Sequence, residues 1–263
     1  MSKPQQIRLD RLLANLGYGS RREVQNMARY RRITLDGAEL RDIEQRVPLS
    51  AEFAARLQID AEPLDPLPGL ALMLNKPEGV TCSHKESGPL VYSLLPDRWQ
   101  YRDPPISTIG RLDKDTSGLL LLTDDGAFLH KVISPRAKIA KTYIAGLARP
   151  LRGDETGVFA SGALMLEGED KPLAPAHLEI LTPQEASLTI TEGRYHQVRR
   201  MFAALGNHVT TLRRIKIGGL SLPGDLASGE LRILDAGARA QIFAPEHSGT
   251  HFAQVPPAPS GAM

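Results

Sequence analysis

Four consecutive leucines, Leu119 to Leu122, follow the polar segment GRLDKDTSG (Gly110 to Gly118) and end at Thr123-Asp124-Asp125-Gly126. A short apolar run between turn signals predicts a strand buried on both faces, here fed by a charged loop. Loops held by a rigid strand commonly carry chemistry. Arg111, Asp113 and Asp115 are therefore candidates for a site. A second pattern is helical. Leu9, Leu12, Leu13 and Leu16 fall on one helix face, and Gly17 stops it. Ser20-Arg21-Arg22-Glu23 has the form of a capping box. It opens a helix to about Tyr30 that turns Val24, Met27 and Ala28 inward. Ile33 to Leu35 predicts a strand and Asp36-Gly37 a hairpin turn.

Pro63, Pro66 and Pro68 stiffen the stretch 61–68 into a linker. It divides a small unit (1–60) from a larger one (69–239). In the larger unit, Leu70 to Leu74 predicts a strand ending in a turn at Asn75 to Gly79. His84 to Pro105 is loop-rich. Asp125 to Ile133 predicts a short helix, Lys141 to Leu147 a strand with Tyr143 and Ala145 on one side, and Leu151 to Ala160 a helix. The stretches 176–181 and 186–191 predict an antiparallel pair. Val198, Met201, Phe202 and Leu205 mark a helix face closed by Gly206-Asn207, and Val209 to Ile217 a long strand. The tail 240–263, rich in Pro, Gly and Ser, is expected to be disordered.

Composition is that of a globular chain of 263 residues, 24% charged, with a net charge of only +2. Whole-chain charge therefore does not decide a partner, but its distribution does more. Met1 to Arg32 holds eight basic residues (Lys3, Arg8, Arg11, Arg21, Arg22, Arg29, Arg31, Arg32) against Asp10 and Glu23. Arg194 to Lys216 holds six (Arg194, Arg199, Arg200, Arg213, Arg214, Lys216) and no acid. Two such blocks suit the phosphates of a nucleic acid. The single cysteine, Cys82, excludes an internal disulfide and a multi-cysteine zinc site, and suits a reducing cytosol. No leader-like or membrane-spanning apolar segment is read from the sequence, and the histidines lack metal-ligand spacing.

As a bare pattern, the Asp113 loop admits three readings. Asp113, Asp115, Ser117, Gly118 and Asp124 fit part of a calcium loop, but the last ligand position lacks Glu and the flank is a leucine strand. Asp113-Lys114-Asp115-Thr116 has the form of an aspartyl phosphotransferase motif, yet no good apolar strand precedes it. The third reading is a charged turn with a structural Asp.

Residues 7 to 55 resemble the RNA-binding domain named after small-subunit ribosomal protein four (the S-four domain), through LDRLL, SRRE and ITLDG. Arg31 departs from the glycine usual in that family. GRLDKDTSGLLLLTDDG, LMLNKPEGV, KTY and EGRYHQVRRMFAALGNHV together resemble the RsuA-type pseudouridine synthases of bacterial ribosomal RNA, over about residues 69 to 236. The resemblance implies an α+β protein: a small S-four-like RNA-binding domain and a catalytic domain with a mixed, mostly antiparallel sheet crossed by an RNA cleft.

It further implies that Asp113 is the nucleophile, that Tyr143 stacks on the target base and helps move the proton from C5, and that Arg199 pairs with the catalytic aspartate. Arg111 is taken as a phosphate or loop-ordering contact. Arg194, His196, Gln197 and Arg200 are expected at the substrate. Arg8, Arg21, Arg22, Arg29, Arg31, Arg32, Arg213, Arg214 and Lys216 are expected on RNA. Trp99 and Tyr101 are expected to plug the core edge rather than stack on RNA. The isomerisation gains and loses no atoms, so no cofactor or metal is expected. The implied substrate is 16S rRNA, because Tyr195-His196-Gln197 follows Gly193-Arg194. A 23S rRNA enzyme and a non-catalytic ribosome-assembly protein are the alternatives. The expected partner is ribosomal RNA or a subunit assembly intermediate, met by a cytoplasmic monomer with no membrane contact.

Overall fold

The computed structural model describes residues 5–83 and 87–244. The N-terminal unit comprises β1 (Gln6–Arg8), α1 (Leu9–Asn15), α2 (Arg21–Arg29), β2 (Ile33–Leu35), β3 (Ala38–Glu39), β4 (Arg46–Pro48), α3 (Ala51–Ala54), β5 (Leu57–Ile59) and β6 (Glu62–Pro63). The four leucines of the predicted face are fully buried, packed with Val24, Met27, Ile33 and Leu57. Each such leucine contributes about 1.5–3 kcal/mol of burial. The capping box is formed: Ser20 Oγ accepts from Glu23 N at 3.3 Å, and Glu23 Oε2 accepts from Ser20 N at 2.7 Å. Asp36 (φ 50°) and Gly37 (φ 78°) make the tight turn between β2 and β3. Arg31, at the position where a glycine is usual, is left-handed (φ 58°). A non-glycine residue there costs about 1–2 kcal/mol.

Asp10 is fully buried and takes hydrogen bonds from Arg8 (2.9 Å) and Arg21 (2.6 Å). Burial alone would raise its pKa, but these two guanidinium groups outweigh it and hold the carboxyl below its ordinary range. A depressed folded-state pKa adds stability that is present above the unfolded pKa and lost as pH falls through the folded value. Asp10→Asn is therefore expected to lose about 1.5–3 kcal/mol at neutral pH. The gap to wild type should close on the acid limb. Urea unfolding of both proteins at pH 7 and near pH 3 checks this; a gap that stays constant would overturn it.

The stretch expected to be a plain linker is partly built into the fold. Glu62–Pro63 pairs with β5 at the edge of the sheet β3-β2-β5-β6, and Leu64 and Leu67 pack on the small core. Pro63 suits an edge, where a missing N–H costs least. Beyond it, Arg102 and Asp124 form a buried pair at 2.9 Å, and these residues bond Pro66 O and Gly69 N respectively. Arg98 lies 4.2 Å over the Tyr18 ring and 3.2 Å from Asp65, while Asp103 N donates to Asn15 O at 2.8 Å. Gly17 (φ 91°) leaves room for this joint, since a Cβ there would collide with the Arg98 carbonyl oxygen.

The larger unit comprises β7 (Ala71–Lys76), β8 (Ser107–Ile109), β9 (Ser117–Thr123), α4 (Gly126–Ile133), β10 (Lys141–Leu147), α5 (Glu155–Ala160), β11 (His177–Thr182), β12 (Glu185–Ile190), α6 (Gln197–Ala204), β13 (Val209–Ile217), β14 (Leu220–Ser221), β15 (Leu231–Ile233) and α7 (Ala236–Gln241). Among the described residues, nine strands form one sheet ordered β11-β12-β10-β13-β9-β7-β15, with β14 on β13 and β8 on β9. Every pairing is antiparallel except β9 with β13. The mixed, mostly antiparallel α+β architecture is thus as expected. The leucine run is buried on both faces: Leu120 and Leu122 join one core with Leu72 and Tyr143, and Leu119 and Leu121 another with Met73 and Ile217.

Three expectations differ. The helix expected from Leu151 spans only Glu155–Ala160, because the Glu155 carboxylate takes up the N–H groups of Arg152 (3.0 Å) and Gly153 (2.8 Å) and holds a turn there. Trp99 packs on the larger core, but Tyr101 is exposed. The tail is ordered past residue 240: α7 runs to Gln241, whose carbonyl accepts from Gly219 N at 2.9 Å, and Ile242 is fully buried. The rest of the expected disordered tail, 245–263, lies outside the described residues, as does His84. No helix among the described residues is long and apolar enough to cross a membrane.

Candidate active site

A cavity of about 560 Å³ opens beside the parallel strand pair β9–β13, lined among others by Arg111, Asp113, Thr116, Lys141, Tyr143, Tyr195, His196, Arg199 and Arg214. The sequence places Asp113 there in steps. β9 enters the sheet at Ser117-Gly118, which lie opposite Arg213 and Arg214. Gly118 (φ 99°) permits this close approach, because a Cβ would meet the Arg214 carbonyl oxygen. Just upstream the chain turns, Thr116 N donating to Asp113 O at 3.1 Å.

The loop is held from within by Lys76, at the end of β7 and fully buried. Its Nζ donates to Thr116 O (2.8 Å), Pro77 O (3.0 Å) and Asp113 O (3.1 Å). Burial pushes its pKa below the ordinary lysine range, against the pull of nearby negative groups, Asp113 among them. The Asn75-to-Gly79 turn expected from the sequence starts later than predicted, since β7 continues through Lys76. A lysine before Pro-Glu-Gly is usually solvated, so its pattern carried no signal of this role. Lys141 was missed too. It lines the cavity, donates to Ile139 O at 3.1 Å, and burial lowers its pKa, with Arg214 adding to the effect.

Asp113 and Tyr143 line the same cavity, Asp113 part-exposed and Tyr143 buried. The expected Arg199–Asp113 pair does not form. Arg199 Nη2 instead reaches Asp115 Oδ2 at 2.9 Å and Asp115 O at 3.0 Å, and Nη1 reaches Val209 O at 3.0 Å. Two residues beyond Asp113 the loop has turned, so Arg199 clamps its far side to β13. The His196 ring lies beside Asp113 instead, with Nε2 at 3.6 Å from Oδ1. His196 is left-handed (φ 48°) and precedes α6.

Other expected contacts are committed within the protein. Arg194 bonds Glu169 (3.1 Å), Lys171 O (2.7 Å) and Pro172 O (2.6 Å). Arg200 bonds Glu169 at 2.8 Å. Gln197 is buried between Arg194 N (2.8 Å) and Glu192 (3.0 Å). These acids lie outside the segment that looked unbalanced in sequence. Arg214, expected on RNA, is buried: Nε donates to Leu119 O at 2.8 Å, Nη1 lies 3.4 Å from Tyr143 Oη, and Nη2 has no protein partner. It is a cavity-floor cation rather than a surface one. Arg213 is part-exposed and, like exposed Arg111, has no polar partner among the described residues; Lys216 is part-buried.

In the small unit the same sorting applies. Arg8 and Arg21 are held by Asp10, Arg31 by Glu39 (3.2 Å) and Arg32 by Asp60 (2.6 Å). All but Arg8 have exposed side chains, so they keep a surface for phosphates while being partly neutralised. Arg22 and Arg29 are exposed without a polar partner among the described residues.

A carboxylate, an aromatic ring and a buried guanidinium lining one cavity are an arrangement suited to attack on a nucleoside. Comparison with known proteins agrees with it. The profile for RNA pseudouridylate synthase matches residues 71–204, and that for the S4 domain residues 7–53. The chain is 41% identical over 241 residues to the ribosomal small subunit pseudouridine synthase A of Yersinia pestis, covering 91% of this chain and 99% of that one.

The chain belongs to the RNA pseudouridylate synthase family.

Its resemblance to the Escherichia coli (strain K12) protein of the same name is also 41%, over 87% of this chain and 96% of that one. An uncharacterized RNA pseudouridine synthase of Bacillus subtilis is 38% identical over 87% of this chain and 95% of its own. A crystal structure of a pseudouridylate synthase, 37% identical, superposes with a TM-score of 0.63 over 90% of this chain and 99% of that one. The synthase thus carries an RNA-binding domain ahead of an isomerase domain. The calcium and phosphotransferase readings of the Asp113 loop fall away.

Proposed function

We propose that this synthase converts one uridine of small-subunit (16S) ribosomal RNA to pseudouridine, with Asp113 as the catalytic carboxylate. The observation that carries the reading is that Asp113 and Tyr143 line one cavity. The names of the relatives supply the substrate class. The uracil N1–C1′ bond breaks, the base turns, and C5 joins C1′; C5 then gives up its proton and N1, freed from the sugar, takes one up, so no atoms are gained or lost. A carboxylate near the sugar serves as nucleophile or base. The Tyr143 ring supports the flipped base, and its hydroxyl, beside Arg214, is the candidate for handling the C5 proton. Arg199 orders the loop through Asp115. Arg111 at the rim is a phosphate contact.

Flipping the nucleotide costs a few kcal/mol. Arg22, Arg29 and Arg213 offer the free cations to offset this, with the paired arginines adding a weaker field. The S-four domain extends through β6 to Pro63 and the catalytic domain from β7 through α7 and Ile242. The protein works as a cytoplasmic monomer on rRNA or an assembling subunit.

The test is carbodiimide primer-extension mapping of 16S and 23S rRNA from cells with and without the gene. One lost stop in 16S, restored by the gene, is expected. A lost stop in 23S overturns the substrate; none in either overturns the reading.

A further inference from the structure

Tyr195 lines the cavity with an exposed ring that is stacked on its neighbour. It is 73% exposed, and its ring stacks on His196 at 3.8 Å between centroids and 16° between planes. His196 is held in turn by its place in the chain. Its left-handed backbone turns the ring so that Nε2 stands 3.6 Å from Asp113. The Tyr195 carbonyl is also anchored, accepting from Arg200 Nη1 at 3.2 Å, and Arg200 is locked on Glu169. One face of the tyrosine is thus covered by an imidazole that touches the Asp113 carboxylate region, while the ring remains largely open to solvent.

We propose that Tyr195 is the stacking platform for a nucleobase flanking the uridine to be isomerised. His196 is the spacer that sets its distance from Asp113. The inference rests on the proposed reaction and adds a substrate contact to it. A flipped nucleotide leaves its neighbours without a stacking partner. A pre-oriented, open aromatic ring beside the cavity replaces that partner at little entropic cost, and every base has a π-face to offer. The apolar ring left in water by the free protein is then covered in the complex. The contact is made before the chemistry and held through it, so it acts on substrate capture and not on the isomerisation step.

The experiment uses the full chain and a transcript of the rRNA segment that wild type modifies, tritiated at uridine C5. Release of tritium is followed at varied RNA concentration for wild type, Tyr195→Phe and Tyr195→Ala. Tyr195→Ala is expected to raise KM by about 5- to 100-fold, with kcat within about 2-fold, and Tyr195→Phe to match wild type. The flanking nucleotides are then made abasic one at a time. At one position wild type should lose the factor that Tyr195→Ala has already lost, and the variant should lose nothing more there. An unchanged KM for Tyr195→Ala overturns the proposal. So does a loss that adds independently at every abasic position, which would mark Tyr195 as a mere prop for His196. Wild type inactive on every rRNA segment would instead overturn the underlying reaction, and is seen before any variant is compared.

Discussion

Asp113→Asn is expected to abolish pseudouridine formation, lowering the single-turnover rate by at least about four orders of magnitude. The amide keeps the size and polarity of the side chain but loses the negative charge that a nucleophile or base needs. Nothing else should change much. The carboxylate is part-exposed, and the His196 Nε2 atom stands 3.6 Å from its Oδ1. The Asp113 carbonyl, not its side chain, holds the loop through Lys76 and Thr116. Stability should therefore stay within about 0.5 kcal/mol of wild type, the range of ordinary surface changes. Affinity for rRNA should stay within about twofold, since binding is carried by the cations and by stacking. Tritium release and filter binding on the same transcript separate the two effects. A variant that retains a tenth of the wild-type rate would remove Asp113 from the reaction.

The parts of this protein that were legible in its sequence are those set by neighbours in the chain. The 3.6-residue spacing of Leu9, Leu12, Leu13 and Leu16, the Ser20–Glu23 box and the Asp36-Gly37 turn need only local geometry, and all stand as read. The leucine run was legible because four apolar residues in a row can be satisfied only by a strand with a core on each side. What was not legible was pairing at a distance. The Arg194-to-Lys216 block looked unbalanced because Glu169 and Glu192 lie earlier in the chain. Asp60, 28 residues from Arg32, neutralises it across β2 and β5. Arg214 and Arg213 are adjacent on β13, so strand alternation sends one to the cavity floor and leaves the other toward the surface. The motif brings Asp113 to the cavity loop but does not show which aspartate Arg199 holds. Ile242 shows the same limit: the short apolar run Ile242-Phe243-Ala244 at the head of a Pro- and Gly-rich tail gives no periodicity, yet Ile242 packs fully buried in the second core.

Lys76 is where the second large effect is expected. Lys76→Met keeps the length and apolar stem of the side chain and removes every donor. The carbonyls of Asp113, Thr116 and Pro77 then lose the cation that gathers them, and the loop carrying Asp113 is free to relax. A shift of about 1 Å in a reacting group can cost about 100-fold in rate, so kcat should fall by about that factor with RNA affinity held. Stability should respond in the opposite sense to pH. The folded-state pKa of Lys76 lies below its unfolded value, so the unfolded chain binds the extra proton between the two. The cost of burying the ammonium is full below the folded pKa and is relieved as pH rises toward the ordinary lysine value. Wild type should therefore gain stability from pH 7 to pH 10 relative to Lys76→Met, as read by urea unfolding at the two pH values. If the difference between the two proteins were independent of pH, Lys76 would not be the buried cation described. If kcat were unchanged, the loop would be held by something other than this side chain. Both outcomes bear on the same point: Asp113, the acid proposed to do the chemistry, sits on a turn whose shape depends on a lysine 37 residues earlier.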